Sequence, residues 1–262
     1  MRNILKFSNE NAKLEKSGLI IWTFSLPSGR TCPGACQCKA WVNPKTRKLV
    51  DGPQQKFRCF SADSEARWPT VYNARLHNMQ VLLQHGGATA DGLHAVLKED
   101  FPEDAKYFRI HIGGDFYSQA YFDAWVKLAG EKPETKFYAY TKSLPFWVSR
   151  IDKIPVNLVL TASRGGVFDH LIEPYNLKTT VVVGHPEEAA AMGLEIDHDD
   201  LMAMDDGIRS HALLIHGSQP PGSDMAAAKK RLRDGGVAFG YKSTRKSGAK
   251  TPARRRSKEA QA

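Results

Sequence analysis

Residues 107–115 read YFRIHIGGD, six residues of aromatic and β-branched character that stop at a glycine pair and an acid. A run of that length and makeup reads as a strand, and Gly-Gly-Asp reads as the turn that ends it. The unit recurs along the chain. GLIIWTFSL (18–26), KFYAYT (136–141), NLVLTA (157–162), TTVVVG (179–184) and HALLIHG (211–217) are the other predicted strands. Segments of helical period lie between them at 64–84, broken or kinked at Pro69, and at 91–100, 119–130, 145–151, 168–175, 186–192 and 224–234. Parallel strands need crossovers of this kind, and right-handed ones wind into a doubly wound sheet or a barrel.

Sites in such folds are built at the carboxyl ends of the strands. Polar or glycine-bearing residues follow one strand after another here. Cys32, Cys36 and Cys38 follow the first, Gly113-Gly114-Asp115 the second, Thr141-Lys142-Ser143 the third and Ser163-Arg164-Gly165-Gly166 the fourth; His185 follows the fifth and His216-Gly217-Ser218-Gln219 the sixth. Six strands aiming polar residues at one place favour a partial (βα)6 barrel with a cysteine-bearing insertion after the first strand. The glycine pairs are expected to let backbone approach a ligand closely.

The chain is 42% hydrophobic and 10% aromatic, enough to fill a sizeable core, with charge at an ordinary 25%. No apolar run reaches the roughly 18 residues of a membrane span, and MRNILKFSNENAK lacks the apolar block of a secretory signal, so a cytoplasmic location is expected. The net charge of +9 is unevenly spread. Residues 242–262 hold eight Lys or Arg and one acid, Glu259, with almost nothing apolar. That stretch is expected to be a disordered basic tail behind one α/β domain at 1–241, either an arm that binds nucleic acid without reading its sequence or a solubilising extension.

All four cysteines fall between positions 32 and 59, in TCPGACQC and RCF. In a reducing compartment such clustering reads as metal coordination, which makes Cys32, Cys36, Cys38 and Cys59 the candidate ligands. Soft thiolates select zinc or an iron–sulfur cluster. Cys36 and Cys38 are awkwardly close for one ion, and the spacing is not that of a zinc ribbon. A [4Fe–4S] cluster is therefore the leading expectation and zinc the alternative, beside the ordinary reading of buried free cysteines.

Candidate catalytic residues are Asp115, Lys142 and Arg164, whose charges stand where an amine, a phosphate or a carboxylate would be met. Gly113, Gly114, Asp115, Ser163, Arg164 and His216 are the candidate cofactor-binding set. His111 reads as a packed strand residue. EIDHDDLMAMDDG (195–207) lacks the spacing of a calcium loop and reads as a solvated acidic loop, with Asp197 and His198 as second-site candidates. Tyr121, Phe122 and Trp125 share a helix face that reads as core.

CPGACQC, RCFSADSEARWP, IHIGGDFYSQAYFDAW, FYAYTKSLPFWV, LTASRGG, LEIDHDD and LLIHGSQP, spread in order over residues 19–241, resemble the phage-associated "gene product 88" family. A looser resemblance is to the radical S-adenosylmethionine (radical SAM) superfamily. There, three cysteines after the first strand of a partial barrel hold a [4Fe–4S] cluster, a Gly-Gly-Glu-like motif after the second strand holds the amino group of S-adenosylmethionine, and residues near the fourth strand contact its ribose and adenine. Order and placement are similar here, but the second cysteine gap is one residue instead of two, and Cys59 is a fourth thiol. Four thiolates on the cluster would leave no iron open, whereas three would. The resemblances imply an iron–sulfur enzyme of phage or mobile-element type, and the basic tail suggests nucleic acid or a nucleotide as its substrate. The other reading is a nucleic-acid-binding accessory protein stapled by zinc or a closed cluster.

Overall fold

The computed structural model describes residues 4–236; the basic tail at 242–262 and the end of the domain at 241 lie outside them. Strand β1 (Ile21–Phe24) leads into the cysteine loop, a hairpin of β2 (Ala40–Val42) and β3 (Leu49–Asp51), and helices α1 (Phe60–Arg67), α2 (Pro69–Val81) and α3 (Ala90–Asp100). Then come β4 (Tyr107–Ile110), α4 (Gln119–Glu131), β5 (Lys136–Thr141), α5 (Leu144–Val148), β6 (Leu158–Ser163) and β7 (Thr179–Val183). The short helices α6 (Pro186–Ala191) and α7 (Leu201–Met204), β8 (Ser210–Leu214) and α8 (Asp224–Asp234) complete the series. No helix among the described residues is long and apolar enough to cross a membrane.

The main sheet is parallel, with the order β1-β4-β5-β6-β7-β8. Spatial order equals chain order, so successive crossovers step one way, where a doubly wound sheet would reverse. Among the described residues β8 does not pair with β1, and the sheet is not closed into a barrel. Helix α1 bonds to the loops beyond both edge strands instead. Ser28 N–H, after β1, donates to Glu65 Oε1 at 2.8 Å, and Ser218 N–H, after β8, donates to Asp63 Oδ2 at 3.1 Å.

One face of the sheet is apolar. Phe24, Phe108, Ile110, Phe137 and Leu160 pack with Phe122, Trp125 and Leu128 of α4, and the Phe108 and Trp125 rings lie 5.5 Å apart. Tyr121, Phe122 and Trp125 are fully buried, as their spacing predicts. Alternation sends Arg109, Tyr138, Tyr140, Thr161 and His211 to the other face, with Arg109 beside Tyr138 and Tyr140 beside Thr161 in the register. The residues read as a solvated acidic loop cover that face. Asp197 and Asp200 are 2% and 0% exposed. Asp200 pairs with Arg109 and Lys13 and accepts from Tyr138 Oη at 3.1 Å, while Asp197 accepts the backbone N–H groups of Asp199, Asp200 and Ala203. The reason is Arg109: a cation buried in a central strand needs a buried anion.

Other expectations are corrected locally. The helix foreseen at 168–175 is only a 3-10 turn, Asp169–Leu171, because the Asp169 carboxylate folds back onto the N–H groups of Gly165 and Gly166. The helical segment at 64–84 is broken at Pro69, as expected, with Trp68 extended between α1 and α2, but α1 begins earlier, at Phe60. The strand at 107–112 stops at Ile110, since His111 takes a φ of +69°. The hairpin of β2 and β3 was not foreseen, its strands being too short to show a period.

Candidate metal centre at the strand ends

The cysteine loop is seated on the residues that follow β5 and β6. Ala35 bridges Gly166, Gln37 N–H donates to the Gly165 carbonyl and Val167 N–H donates to the Gly34 carbonyl, both at 3.0 Å. Gly34 must be glycine, because a Cβ there would lie 2.0 Å from the Lys142 carbonyl oxygen. Cys59 arrives separately, at the N-cap position of α1. Its neighbour Arg58 is clamped by Gln219, which accepts from Arg58 N–H at 2.8 Å and donates to its carbonyl at 3.2 Å. The loops after β1, β6 and β8 thus meet at the start of α1.

Between them is a cavity of about 150 Å³ lined by Cys32, Cys38 and Cys59 together with Gly113, Gly114, Asp115, Ser163 and His216. Cys36 is not part of the lining; its thiol donates to Gln54 Oε1 at 2.8 Å. Three of the four candidate ligands therefore line one cavity and Cys36 does not. Among the described residues no three His, Cys, Asp or Glu side chains converge closely enough to hold a single metal ion, so the four-thiolate tetrahedral site expected for zinc is not assembled. Burial pushes the Cys32 thiol well up, helped by Asp115, Cys59 and Cys38. Burial and Cys38 likewise raise Cys59 to about 11, against the backbone amides of Ala62 and Ser61 at the helix start.

Asp115 is buried and accepts three hydrogen bonds. Its carboxylate accepts from Thr141 Oγ1 (2.6 Å), Phe116 N (2.7 Å) and Lys142 N (2.8 Å), tying the end of β4 to the end of β5. Burial raises its pKa and these bonds oppose the rise. Ser118 is the cap of α4, its hydroxyl accepting from Tyr121 N–H at 3.2 Å. Lys142 is not a free cation: its ammonium donates to the Ser163 carbonyl, Ser163 Oγ and the Arg164 carbonyl at 2.6, 2.8 and 2.5 Å. All three donors are consumed in joining β5 to β6. The Arg164 guanidinium faces outward to Glu173 at 2.6 Å and does not line the cavity.

Gly113 and Gly114 line the cavity, yet protein packing rather than a ligand explains them. A Cβ on Gly113 would lie 2.2 Å from Ser61 Oγ, and Gly114 has a φ of +83° with Thr31 Oγ1 against it. His216 lines the cavity with its ring 4.3 Å from that of Phe60, and burial holds its pKa near 4. His111 lines it too, buried, with Nε2 3.0 Å from Tyr121 Oη.

Arg109, Tyr140 and Phe60 also line the cavity and were missed as site residues. A signal was available for two of them. Parallel strands covered on both faces run nearly all-apolar, so Arg109 within YFRIHI and Tyr140 within KFYAYT mark a polar inner face.

The sequence profile of the family described as Gene product 88 matches residues 3–235. The chain belongs to that family. The "Gene 88 protein" of Mycobacterium phage L5 and that of Mycobacterium phage D29 are each 28% identical to this chain over 128 residues, 46% of it and 47% of the relative. The chain spans about half the length of the curated relatives it matches. No solved structure matches it. The comparisons make the chain phage-associated and bring no radical-SAM relative.

Proposed function

We propose that the cysteine-lined cavity holds a [4Fe–4S] cluster through Cys32, Cys38 and Cys59, and that this Gene product 88 chain is a radical-SAM-like iron–sulfur enzyme on a partial barrel, acting in the cytoplasm on nucleic acid or a nucleotide. The observation carrying this reading is that three thiols from two separate segments line one cavity at the strand ends, while Cys36 is engaged outside it. A cluster gives each thiolate its own iron, so its ligands need not converge on a single ion. When bound through three thiolates it supplies one-electron chemistry and one iron open to S-adenosylmethionine.

The chain's own residues would do the positioning. Asp115, held by Thr141 and two backbone amides, keeps the Gly113-Gly114 turn against the cavity, and Oδ2 has one lone pair left to accept from a ligand amine. Ser163, fixed by Lys142, presents its hydroxyl on the opposite strand end. The basic residues at 242–262 would raise the local concentration of a nucleic-acid substrate.

The test is anaerobic purification, assay of iron and sulfide, and absorption spectra before and after adding reductant and S-adenosylmethionine. Brown protein with iron and sulfide in equal amounts that cleaves S-adenosylmethionine is the expected result. Colourless protein with one zinc would instead mark the stapled accessory protein, and metal-free protein would defeat both.

A further inference from the structure

A second cavity, about 670 Å³, shares Phe60, Arg109, Tyr140 and His216 with the cysteine cavity as a common wall. That volume lies within the range of sites for small organic ligands. It runs along α1 and the start of α2 and reaches α8. Its makeup differs from that of the cysteine cavity in two respects.

Trp68, in its lining, is 58% exposed, a large indole left open to solvent by the break between α1 and α2. Arg67 and Lys229 also line it. The Arg67 side chain is 58% exposed and bonds Asp63 at 3.0 Å, and the Lys229 ammonium donates to the Gly217 carbonyl. Burial, opposed by Asp63 and reinforced by Arg233 and Arg67, holds Lys229 below its ordinary range. Arg67 and Lys229 therefore stand close enough to repel one another, in a lining whose acids are Asp63 and Glu10. An arriving anion relieves that repulsion, and an exposed indole beside it offers a stacking surface.

We infer that this second cavity binds a nucleoside phosphate, its base against Trp68, Phe60 and Tyr140 and its phosphate at Arg67 and Lys229. Its service as the substrate site of the cysteine centre rests on the proposed function; the binding itself does not. One chemistry has two sources here, a free nucleotide or a residue of a single strand.

Tryptophan-fluorescence titrations of the full-length protein with thymidine monophosphate and with a thymidine oligonucleotide separate them. Saturable quenching is expected: by the nucleotide for a free ligand, by the strand alone for nucleic acid. Trp68→Leu should remove most of the quench and weaken binding roughly tenfold or more. Lys229→Gln with Arg67→Gln should flatten the log-log salt dependence for the strand by about 1.4. Photoadducts of a 4-thiothymidine strand on the unsubstituted protein should map to residues 68–75. No binding, affinity unchanged in both variants, or adducts confined to residues 237–262 would overturn the inference. Iron content should be untouched by Trp68→Leu, which keeps this result separate from the fate of the cluster.

Discussion

Replacing Arg109 with Met tests whether the inner face of the sheet is held by one buried charge pair. Arg109 is 7% exposed, contacts Asp200 through Nη1, donates from Nε to the His111 carbonyl at 3.2 Å and lies 4.9 Å from the centre of the Tyr140 ring. Methionine keeps much of the aliphatic length and removes the charge, leaving fully buried Asp200 to Lys13 and Tyr138. Removing one partner of a buried pair costs about 3–5 kcal/mol, and the surviving Lys13 contact points to the lower end, about 3 kcal/mol. Against a total of about 5–15 kcal/mol this is large, and it should lower the urea midpoint by roughly 1 M. Burial alone would raise the Asp200 carboxyl, but Arg109 and Lys13 overcome it and hold it well below the usual range. A carboxyl depressed in the folded state stabilises fully above the unfolded value, about 3.9, and that stability is lost as pH falls toward the folded value. The native protein should therefore weaken below about pH 4, and Arg109→Met/Asp200→Leu, which removes both charges, should recover most of the loss and flatten that acid limb. A single variant costing under about 1 kcal/mol, or a double variant no better than the sum of the singles, would refute this account of the pair.

Cys36→Ser should keep the iron content and visible absorption of the anaerobic protein, whereas Cys32→Ser, Cys38→Ser or Cys59→Ser should lose them; equal loss from all four would return Cys36 to the ligand set. Gly34→Ala places a Cβ 2.0 Å from the Lys142 carbonyl, so it should unseat the cysteine loop and lower metal content while the far-ultraviolet circular dichroism stays near native. Burial, aided by Arg109, pushes His111 down to about 3, and burial, opposed by Asp197, pushes His211 down to about 4. Both stay neutral while the unfolded chain takes up protons below about pH 6.5, so stability should fall from pH 7 to pH 5 by about 2 kcal/mol for His111 and more with His211. Urea midpoints that do not change over that interval would contradict it.

What could be read from the chain without coordinates is what local period carries. Six strands, their parallel crossovers and the C-terminal rim as the place where polar loops gather all follow from alternation and turn residues within about ten positions. The crowding of four thiols between 32 and 59 is equally local. Tertiary structure decided which groups are spent on the protein itself. Cys36 and Cys38 are separated by a single residue, yet only Cys38 lines the cavity, because the loop is pinned by Ala35 and Gln37 against Gly165 and Gly166. Lys142 looked like a cation waiting for an anion until Ser163 and Arg164 supplied its acceptors from the neighbouring strand. Asp200 looked solvated until Arg109, 91 positions away, was found beneath it. Covalent alternation sets which side of a strand a residue faces, but the partner that neutralises a buried charge or uses up a donor comes from elsewhere in the chain, and no local pattern names it.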